Sequence, residues 1–365
     1  MYEVLEKLGM KVVRWERGAG DCAGAPAAGP WPTATPASVG LDGAALDALA
    51  ARIEKGEIAG IHSVLVVREG KLAFERYFAG PDMLWAQPLG RVEFGPETIH
   101  DLRSVTKSVV GVLVGIAHAE GAIPDLDAPL ASFFPEHAKG READLAGRSL
   151  RHALTMSAGL SWDELTHPYS DPRNDEHGLW RADDPLEYAL SRKPIAPGGA
   201  RFAYNGGMPT VLAAAIEKAT KLPLDVFARE RLWCPLGVTE TEWLQHRSGL
   251  FVAASGLRLL PRDIARFGQM MLDDGRFAGR QIVPADYARA SLSAQVSTGP
   301  GFFVPSYGYQ WWIGELPAAS GNGGQRVLVD KQRRMVTVIT AGLYDSREQG
   351  EAPMRLFEGV LGALH

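Results

Sequence analysis

The run from Val109 to Ala119 constrains the fold more than any other part of this sequence, because it is apolar on almost every side when drawn as a helix. A helix of this kind must be buried all round. The chain has 365 residues, of which 46% are hydrophobic and 22% are charged, so it is long enough to build a large core and has the composition of a soluble globular protein. We therefore predict a central helix that the rest of the chain encloses.

Strand patterns lie on both sides of this helix. Residues Ile61 to Phe78 are typical of a hairpin that turns at Glu69-Gly70, and three late strands are expected at 307–315, 324–330 and 335–342. Early and late strands can share one antiparallel sheet, with helices on its faces and a mostly helical lobe beside it. The predicted fold class is α+β.

The N-terminal residues differ in composition from the rest of the chain. Residues 18–40 are rich in glycine, alanine and proline, which indicates a linker or an extended arm. We therefore predict an N-terminal extension and linker at 1–39 and one domain at 40–365. The expected parts of that domain are a sheet lobe, about 40–103 and 245–365, and a helical lobe, about 104–244.

Charge and cysteine content exclude several classes of function. The net charge of −5 leaves no basic excess for binding nucleic acid, and no window approaches the apolar length of a membrane span. Cys22 and Cys234 are far apart in sequence and have no metal-ligand spacing, so we expect neither a disulfide nor a metal. The nine histidines show no HExxH pattern. No secretory signal is seen, which indicates a cytoplasmic protein.

A serine and a lysine stand at the entrance of the apolar helix, in the stretch HDLRSVTKSVVG. Ser104 and Lys107 are one helical turn apart and therefore share one face. A serine hydroxyl becomes a good nucleophile only when a base removes its proton, and a lysine amine is that base only when it is uncharged. Because burial disfavours the charged form of a lysine, the apolar surroundings suit this chemistry.

The pair also has a purely structural interpretation. Ser104 alone would serve as a helix N-cap, and Lys107 would extend its amine to solvent as a surface residue. A serine three residues before a lysine is also common by chance, so these four residues alone do not decide. The apolar helix that follows favours the catalytic interpretation.

Several motifs resemble those of the penicillin-recognising serine hydrolases, which comprise serine β-lactamases, DD-peptidases and related esterases and amidases. LRSVTKS, from Leu102, resembles their first motif, and PGGARFAYNGG, from Pro197, resembles the second. LRHALTMSAGLSWDE and SGLRLLPRDIARFGQMMLDDGRFAGRQIVP are typical of the branch related to class C β-lactamases, and SGNGGQRVLVD, from Ser320, stands in the place of the third motif. The resemblance covers residues 40–365 and is closest to family VIII carboxylesterases and hydrolases of 6-aminohexanoate oligomers. It implies a β-lactamase/DD-peptidase-like fold.

The resemblance implies a role for each motif residue. Ser104 would be the nucleophile, Lys107 its activator, and Tyr204 the group that moves the proton, as base in acylation or as acid toward the leaving group. Whether Lys107 or Tyr204 is the general base stays open at this point. The resemblance implies no cofactor.

The third motif departs from the family pattern, in which a lysine or histidine is followed by threonine or serine and then glycine. Asn322, Gly323 and Gly324 stand in that place, so no positive charge remains to hold the carboxylate of a penicillin or a peptide. This change favours an uncharged ester or amide substrate. The backbone N–H groups of Ser104 and Gln325 are expected to form the oxyanion hole.

Other residues near the motifs are weaker candidates. In the second motif the amide has moved to Asn205, whose access to the pocket is open, and Tyr169 is a candidate for contact with a substrate amide. His100 and His152 are expected to be structural. Four aromatic residues are expected to divide between the pocket and sheet packing, namely Tyr307, Tyr309, Trp311 and Trp312.

The leading hypothesis is a cofactor-free serine hydrolase that cleaves small ester or amide substrates through an acyl-enzyme on Ser104. One alternative is a β-lactamase or a D-amino-acid peptidase. An alternative of another class is a non-catalytic binding protein on the same fold, against which the presence of Ser104, Lys107 and Tyr204 counts. The expected partner is a small-molecule substrate, with neither nucleic acid nor membrane, and the oligomeric state is open.

Overall fold

The computed structural model describes residues 3–18, 21–22, 31–85 and 87–365. Its strands, β1 to β16 in chain order, are Lys11–Glu16, Ile61–Arg68, Lys71–Tyr77, Gly80–Leu84, Gln87–Val92, His100–Asp101, Glu240–Gln245, Leu257–Leu259, Arg276–Phe277, Arg280–Gln281, Val296–Ser297, Ser306–Tyr307, Trp312–Ile313, Pro317–Gly321, Gln325–Asp330 and Met335–Ala341. Its helices, α1 to α15, are Glu3–Lys7, Gly43–Glu54, Val105–Ala119, Leu130–Phe133, Pro135–Ala138, Glu142–Ala146, Leu150–Leu154, Asp175–Arg181, Pro185–Leu190, Gly207–Thr220, Leu224–Ala228, Cys234–Leu236, Pro261–Leu272, Ala285–Ser291 and Glu348–Gly362.

The main sheet has eight strands in the order β11-β12-β13-β14-β15-β16-β2-β3. The early hairpin joins the late strands through the antiparallel pairing of β16 with β2, as the sequence predicted. The hairpin turns at Glu69 and Gly70, whose φ values of 50° and 73° are left-handed. Two residues in this conformation match the right-handed twist of the strands that they connect.

Helices cover both faces of this sheet. On one face α2 and α15 form an apolar layer with residues of β2, β3 and β16. On the other face α13 packs so closely that a Cβ added at Gly268 would lie 2.6 Å from Val336 Cγ1. Beside it lies α3, which is buried from Val105 to Ala117 and contacts α10, α14 and β14. The predicted central helix is therefore confirmed, and it contacts strands β14 and β15 of the main sheet.

The N-terminal residues contribute one strand to the folded structure, while the division into an extension at 1–39 and a domain at 40–365 stays a prediction. Strand β1 pairs with β7 in a second sheet, of order β1-β7-β8-β6. Residues 19–20 and 23–30 of the predicted arm lie outside the described residues. The boundaries of the two predicted lobes stay a prediction.

A disulfide joins Cys22 to Cys234, so the expectation of no disulfide was wrong. The pairing of β1 with β7 is the physical reason. It sets Glu16 opposite Glu240, and the two cysteines lie at equal distances along the chain from that pair. The register of this strand pairing thus brings together two cysteines that are 212 residues apart in sequence.

The predicted strand at 307–315 is interrupted. β12 ends at Tyr307 and β13 begins at Trp312, and between them Gln310 has a left-handed φ of 64°. Gln310 Nε2 donates to the carbonyls of Ala153 and Leu154, at 2.9 and 3.0 Å, and its own carbonyl accepts from Ser108 Oγ at 2.6 Å. These bonds to α7 and α3 draw the chain out of the sheet.

Candidate active site

Ser104 lies between β6 and α3, at the first turn of the buried helix. The preceding residue, Arg103, has a φ of 48°, which is uncommon for a residue with a side chain, and its N–H donates to Asp101 Oδ1 at 3.2 Å. Ser104 occupies the N-cap position, yet its side chain makes no capping hydrogen bond. The hydroxyl is therefore available to another partner, which weakens the structural interpretation of this serine.

Lys107 is that partner, and it does not reach the surface. Only 1% of the residue is exposed. Its Nζ lies 2.9 Å from Ser104 Oγ and donates to the Ala254 carbonyl at 3.0 Å. The interpretation of Lys107 as a solvent-exposed surface residue is wrong, because the helix packs against the 254–257 segment instead of facing water.

Tyr204 completes a compact group with these two residues. It is buried, its ring centroid lies 4.9 Å from Lys107 Nζ, and its ring stacks on Trp312 at 5.2 Å. Burial raises the pKa of Tyr204 well above its usual value of 10, and the charge of Glu164 raises it further, while the Ser104 hydroxyl acts in the opposite direction. The phenol therefore stays protonated at neutral pH.

Two buried glutamates stand beside this group, and the sequence analysis missed them. Glu164 Oε1 lies 3.7 Å from Lys107 Nζ, and its Oε2 accepts from Gly206 N at 2.6 Å. Glu176 accepts from Ser255 Oγ at 3.0 Å. Glu164 lies within the LSWDE part of a recognised motif, but nothing in the sequence indicates that the 176 carboxyl folds against it.

The two carboxyl groups do not both ionise readily. Burial raises the pKa of Glu164 to about 8, and the charge of Glu176 adds to this effect, while Lys107 lowers it. Like-charged carboxyls in one buried site share a proton for this reason. At neutral pH Glu164 is therefore mainly protonated, and Lys107 faces a neutral acid at 3.7 Å instead of a full negative charge.

Glu164→Gln is expected to flatten the dependence of stability on pH. The folded chain keeps a proton on Glu164 up to about pH 8, whereas the unfolded chain loses it near the usual pKa of 4.5, so this residue makes the free energy of unfolding fall as pH rises between these values. Glutamine retains an acceptor for Gly206 N but does not titrate. Calorimetry should show a smaller fall in Tm from pH 5 to pH 8 in the variant than in the wild type. The exposed Glu93→Gln is the control, and identical wild-type and Glu164→Gln profiles would contradict this assignment.

Asn205 and Tyr169, the weaker candidates of the sequence analysis, differ in their surroundings. Asn205 is buried, and its Oδ1 accepts from Gly207 N at 2.8 Å, which caps α10. Tyr169 interacts with Glu164 and Tyr204, and burial followed by the Glu164 charge raises its pKa well above 10. Tyr169 is thus brought to the predicted site, while the Asn205 carbonyl oxygen is occupied by the helix N-terminus.

The third-motif turn connects β14 to β15. Gly323 and Gly324 have φ values of 91° and 100°, a conformation that favours glycine. Asn322 Nδ2 donates to Asp345 Oδ1 at 2.8 Å, and Gln325 Nε2 donates to the Ala341 carbonyl at 2.6 Å. The side chains of Asn322 and Gln325 are therefore bonded to neighbouring segments, and the backbone N–H groups of Gly323 and Gly324 donate to Gln349 Oε1 and to the Gly321 carbonyl.

The same hairpin touches the segment that carries the nucleophile. A Cβ added at Gly321, which pairs with Gln325, would lie 2.4 Å from the Leu102 carbonyl. This close approach brings the end of β14 next to the residues that precede Ser104. The predicted oxyanion pair, the backbone N–H groups of Ser104 and Gln325, stays a prediction.

The aromatic residues divide between pocket and core. Tyr307 and Trp312 lie beside Tyr204. The ring centroids of Tyr307 and Trp312 are 4.9 Å apart, and Trp312 stacks on Tyr204. Trp311 stacks on Phe267 of α13 at 5.9 Å, and Tyr309 packs against Tyr287 at 5.3 Å. His152 is structural, as expected, because it completes the capping box of α7 with Ser149.

Comparison with known proteins agrees with this geometry. The model of the Beta-lactamase family matches residues 46–360. The chain belongs to this family. A curated relative in it, the 6-aminohexanoate-dimer hydrolase of Paenarthrobacter ureafaciens, is 30% identical over 319 residues, which are 80% of this chain and 76% of the relative. The predicted family resemblance and the prediction of a serine hydrolase are confirmed.

Solved structures confirm the predicted β-lactamase/DD-peptidase-like fold. A Bacillus anthracis protein provisionally named 6-aminohexanoate-dimer hydrolase superposes with a TM-score of 0.75 at 21% identity, over 97% of this chain and 91% of that protein. A family VIII carboxylesterase superposes with a TM-score of 0.66 at 16% identity, over 92% and 99% of the two chains. At these identities the likeness concerns the fold alone.

Proposed function

We propose that this serine hydrolase cleaves small, uncharged ester or amide substrates through an acyl-enzyme on Ser104. The observation that carries the proposal is the 2.9 Å contact between Ser104 Oγ and Lys107 Nζ in a buried site. Ser104 Oγ attacks the substrate carbonyl and loses its proton to the Lys107 amine. The bond to the alcohol or amine then breaks, and the leaving group takes up a proton. Water next attacks the acyl-enzyme and releases the acid and the serine.

The surroundings favour Lys107 as the base and Tyr204 as the proton donor. The phenol has a pKa raised well above 10, so it holds a proton that it can pass to the leaving group and recover from Lys107. Lys107 Nζ lies 2.9 Å from Ser104 Oγ in a buried site, and the carboxyl that stands 3.7 Å from it, Glu164, is mainly protonated. Lys107 and Tyr204 both contact Ser104. A proton can therefore pass from the serine to the lysine, while the phenol passes its own proton to the leaving group.

The aromatic rings beside Tyr204 suggest which kind of chemical group the substrate contains. Trp312 stacks on Tyr204, and Phe303 lies over Trp312 with ring centroids 4.7 Å apart. Phe303 is 71% exposed, so its ring is accessible to a ligand. We infer that these three rings receive an apolar acyl or alcohol group. The third-motif turn carries neither lysine nor histidine, which agrees with a neutral substrate.

A substrate panel with a Phe303→Ala variant tests this assignment. The wild type should hydrolyse p-nitrophenyl butyrate better than the acetate, and Phe303→Ala should reduce that ratio of kcat/KM by about tenfold, because a lost apolar contact discriminates weakly but measurably. Met354→Ala, which alters an exposed apolar residue on α15, should leave the ratio unchanged. An unchanged ratio in Phe303→Ala would remove Phe303 from the pocket.

The same panel separates the alternative hydrolase functions. It should include linear amides, a D-amino-acid peptide and a chromogenic cephalosporin. The relative's name, 6-aminohexanoate-dimer hydrolase, is the reason to include linear amides. Faster turnover of the cephalosporin or the D-peptide than of every neutral substrate would replace the present proposal with the β-lactamase or peptidase alternative.

The cellular location stays a prediction. In the described part of the chain, none of the helices has the length and apolar character needed to cross a membrane. The sequence favoured the cytoplasm, but the Cys22–Cys234 disulfide counts against that compartment, since reducing conditions there keep most cysteines as thiols.

A further inference from the structure

A second cluster of chemically active side chains lies outside the active site. His62, Asp82 and His100 each offer one ligand atom, and these atoms all lie within 4.8 Å of one another. The three residues are 0%, 4% and 0% exposed. They come from β2, β4 and β6, which belong to three different sheets. The cluster therefore stands where three parts of the fold meet.

The hydrogen bonds of His100 fix its proton. Its Nδ1 lies 2.9 Å from the Asp101 carbonyl, which can only accept, so Nδ1 carries the hydrogen. The other ring nitrogen, Nε2, is then a lone pair. It faces His62 Nδ1 at 2.8 Å.

Both neutral tautomers of His62 leave this cluster unsatisfied. With the proton on Nδ1, His62 donates to His100, but its buried Nε2 is then a lone pair beside the Pro81 carbonyl, which can only accept. With the proton on Nε2, two lone pairs face each other at 2.8 Å. A buried polar group left in this state is costly.

We propose that this cluster binds a divalent transition-metal ion, of which zinc is the best fit, through His62 Nδ1, His100 Nε2 and the Asp82 carboxylate. Two imidazoles and one carboxylate are a common donor set for zinc. With bonds of about 2.0–2.1 Å, an ion between nitrogens 2.8 Å apart subtends an angle near 90°. A slight separation of the two rings would open that angle toward tetrahedral.

Two of the proposed ligands have hydrogen-bond partners of the kind that accompany metal-binding residues. His100 donates its other N–H to the Asp101 carbonyl at 2.9 Å, and Tyr344 Oη donates to Asp82 Oδ1 at 2.8 Å. Partners of this kind orient metal-binding histidines and carboxylates. The nearby charges of Asp101 and Arg103 pair with each other at 3.1 Å, so they neither repel nor replace the ion.

An ion at this position would be structural. It would tie β2 and β4 to β6, the strand that leads to Ser104, and it would hold Tyr344, against which the third-motif Gly323 packs. We therefore expect metal binding to raise the melting temperature of the protein. This inference does not depend on the proposed function, since metal content is measured without a substrate.

Metal analysis of chelator-treated protein tests the proposal. Zn²⁺ added back should bind at one equivalent by mass spectrometry and raise Tm by several degrees, and Co²⁺ should give visible absorption bands. His62→Gln and Asp82→Asn should each lose the bound ion, the Tm increase and the bands. His246→Gln is the matched control, because His246 is also a buried histidine; it should bind like the wild type.

Two results would overturn the proposal. One is wild-type protein that takes up no stoichiometric metal under these conditions. The other is Asp82→Asn or His62→Gln protein that binds as much metal as the His246→Gln control. If His62→Gln fails to fold, the Co²⁺ spectrum of the wild type and the Asp82→Asn comparison still decide the matter.

Discussion

Ser104→Ala is expected to lower kcat/KM for p-nitrophenyl esters by at least about a thousandfold, because the reaction loses the atom that forms the covalent intermediate. The wild type should gain the mass of one fluorophosphonate group, with the modified peptide containing Ser104. The variant should gain none. It should fold normally, since the Ser104 side chain makes no capping hydrogen bond that alanine would lose.

Ser108→Ala is the matched control on the same helix. Ser108 is one turn further along α3, and its Oγ donates to the Gln310 carbonyl at 2.6 Å. This variant should lose some stability but still react with the fluorophosphonate. Adduct formation on Ser104→Ala would assign the nucleophile to another residue. A wild type that neither forms an adduct nor turns over esters would support the non-catalytic binding protein.

Sequence periodicity predicted those parts of the fold in which local preference and tertiary structure agree. The apolar run after Ser104 required burial, and α3 is buried from Val105 to Ala117. The Glu69-Gly70 hairpin was predicted because its turn is a local feature. In contrast, the break between β12 and β13 depends on bonds from Gln310 to Ala153 and Leu154, which no local pattern indicates.

The disulfide is a second feature that no local sequence pattern could predict. Cys22 and Cys234 meet because Glu16 pairs with Glu240 across β1 and β7. Strand β1 is short and half-exposed, and a pairing between residues so far apart has no signature in a single sequence. The spacing of two cysteines therefore could not predict whether they are bonded.

The candidate active site, like the fold, could be predicted only in part from the sequence. Ser104 and Lys107 are one helical turn apart, so helix geometry alone brought them together, and the family motif supplied Tyr204. Glu164 and Glu176 could not be assigned, because their proximity depends on how the 164–175 loop folds back. Asn174 fixes that loop, since its Nδ2 donates to the carbonyls of Glu164 and His167 at 3.1 and 2.8 Å.

Lys107→Met is expected to reduce kcat at neutral pH by at least about a thousandfold while the protein stays folded. Methionine has a similar length and is well tolerated in apolar cores, so it fills the space left by a lysine that is 1% exposed. Only the amine is lost, and with it the proposed acceptor for the Ser104 proton, which lies 2.9 Å from Ser104 Oγ. Fluorophosphonate labelling of Ser104 should become slow without being abolished, because the nucleophile is still present. Lys218→Met is the control, since Lys218 pairs with Glu136 at the surface.

The result for Lys107→Met also separates the two candidate bases. In Lys107→Met, burial and the charge of Glu176 still raise the pKa of Glu164, so Glu164 should stay protonated and add no negative charge beside Tyr204. The phenol keeps its proton under these conditions, because burial is the main cause of its raised pKa. A thousandfold loss is the result expected when the amine is the base. Near-normal turnover in a folded Lys107→Met protein would instead make Tyr204 the base, and the proton route would then run from serine to phenol.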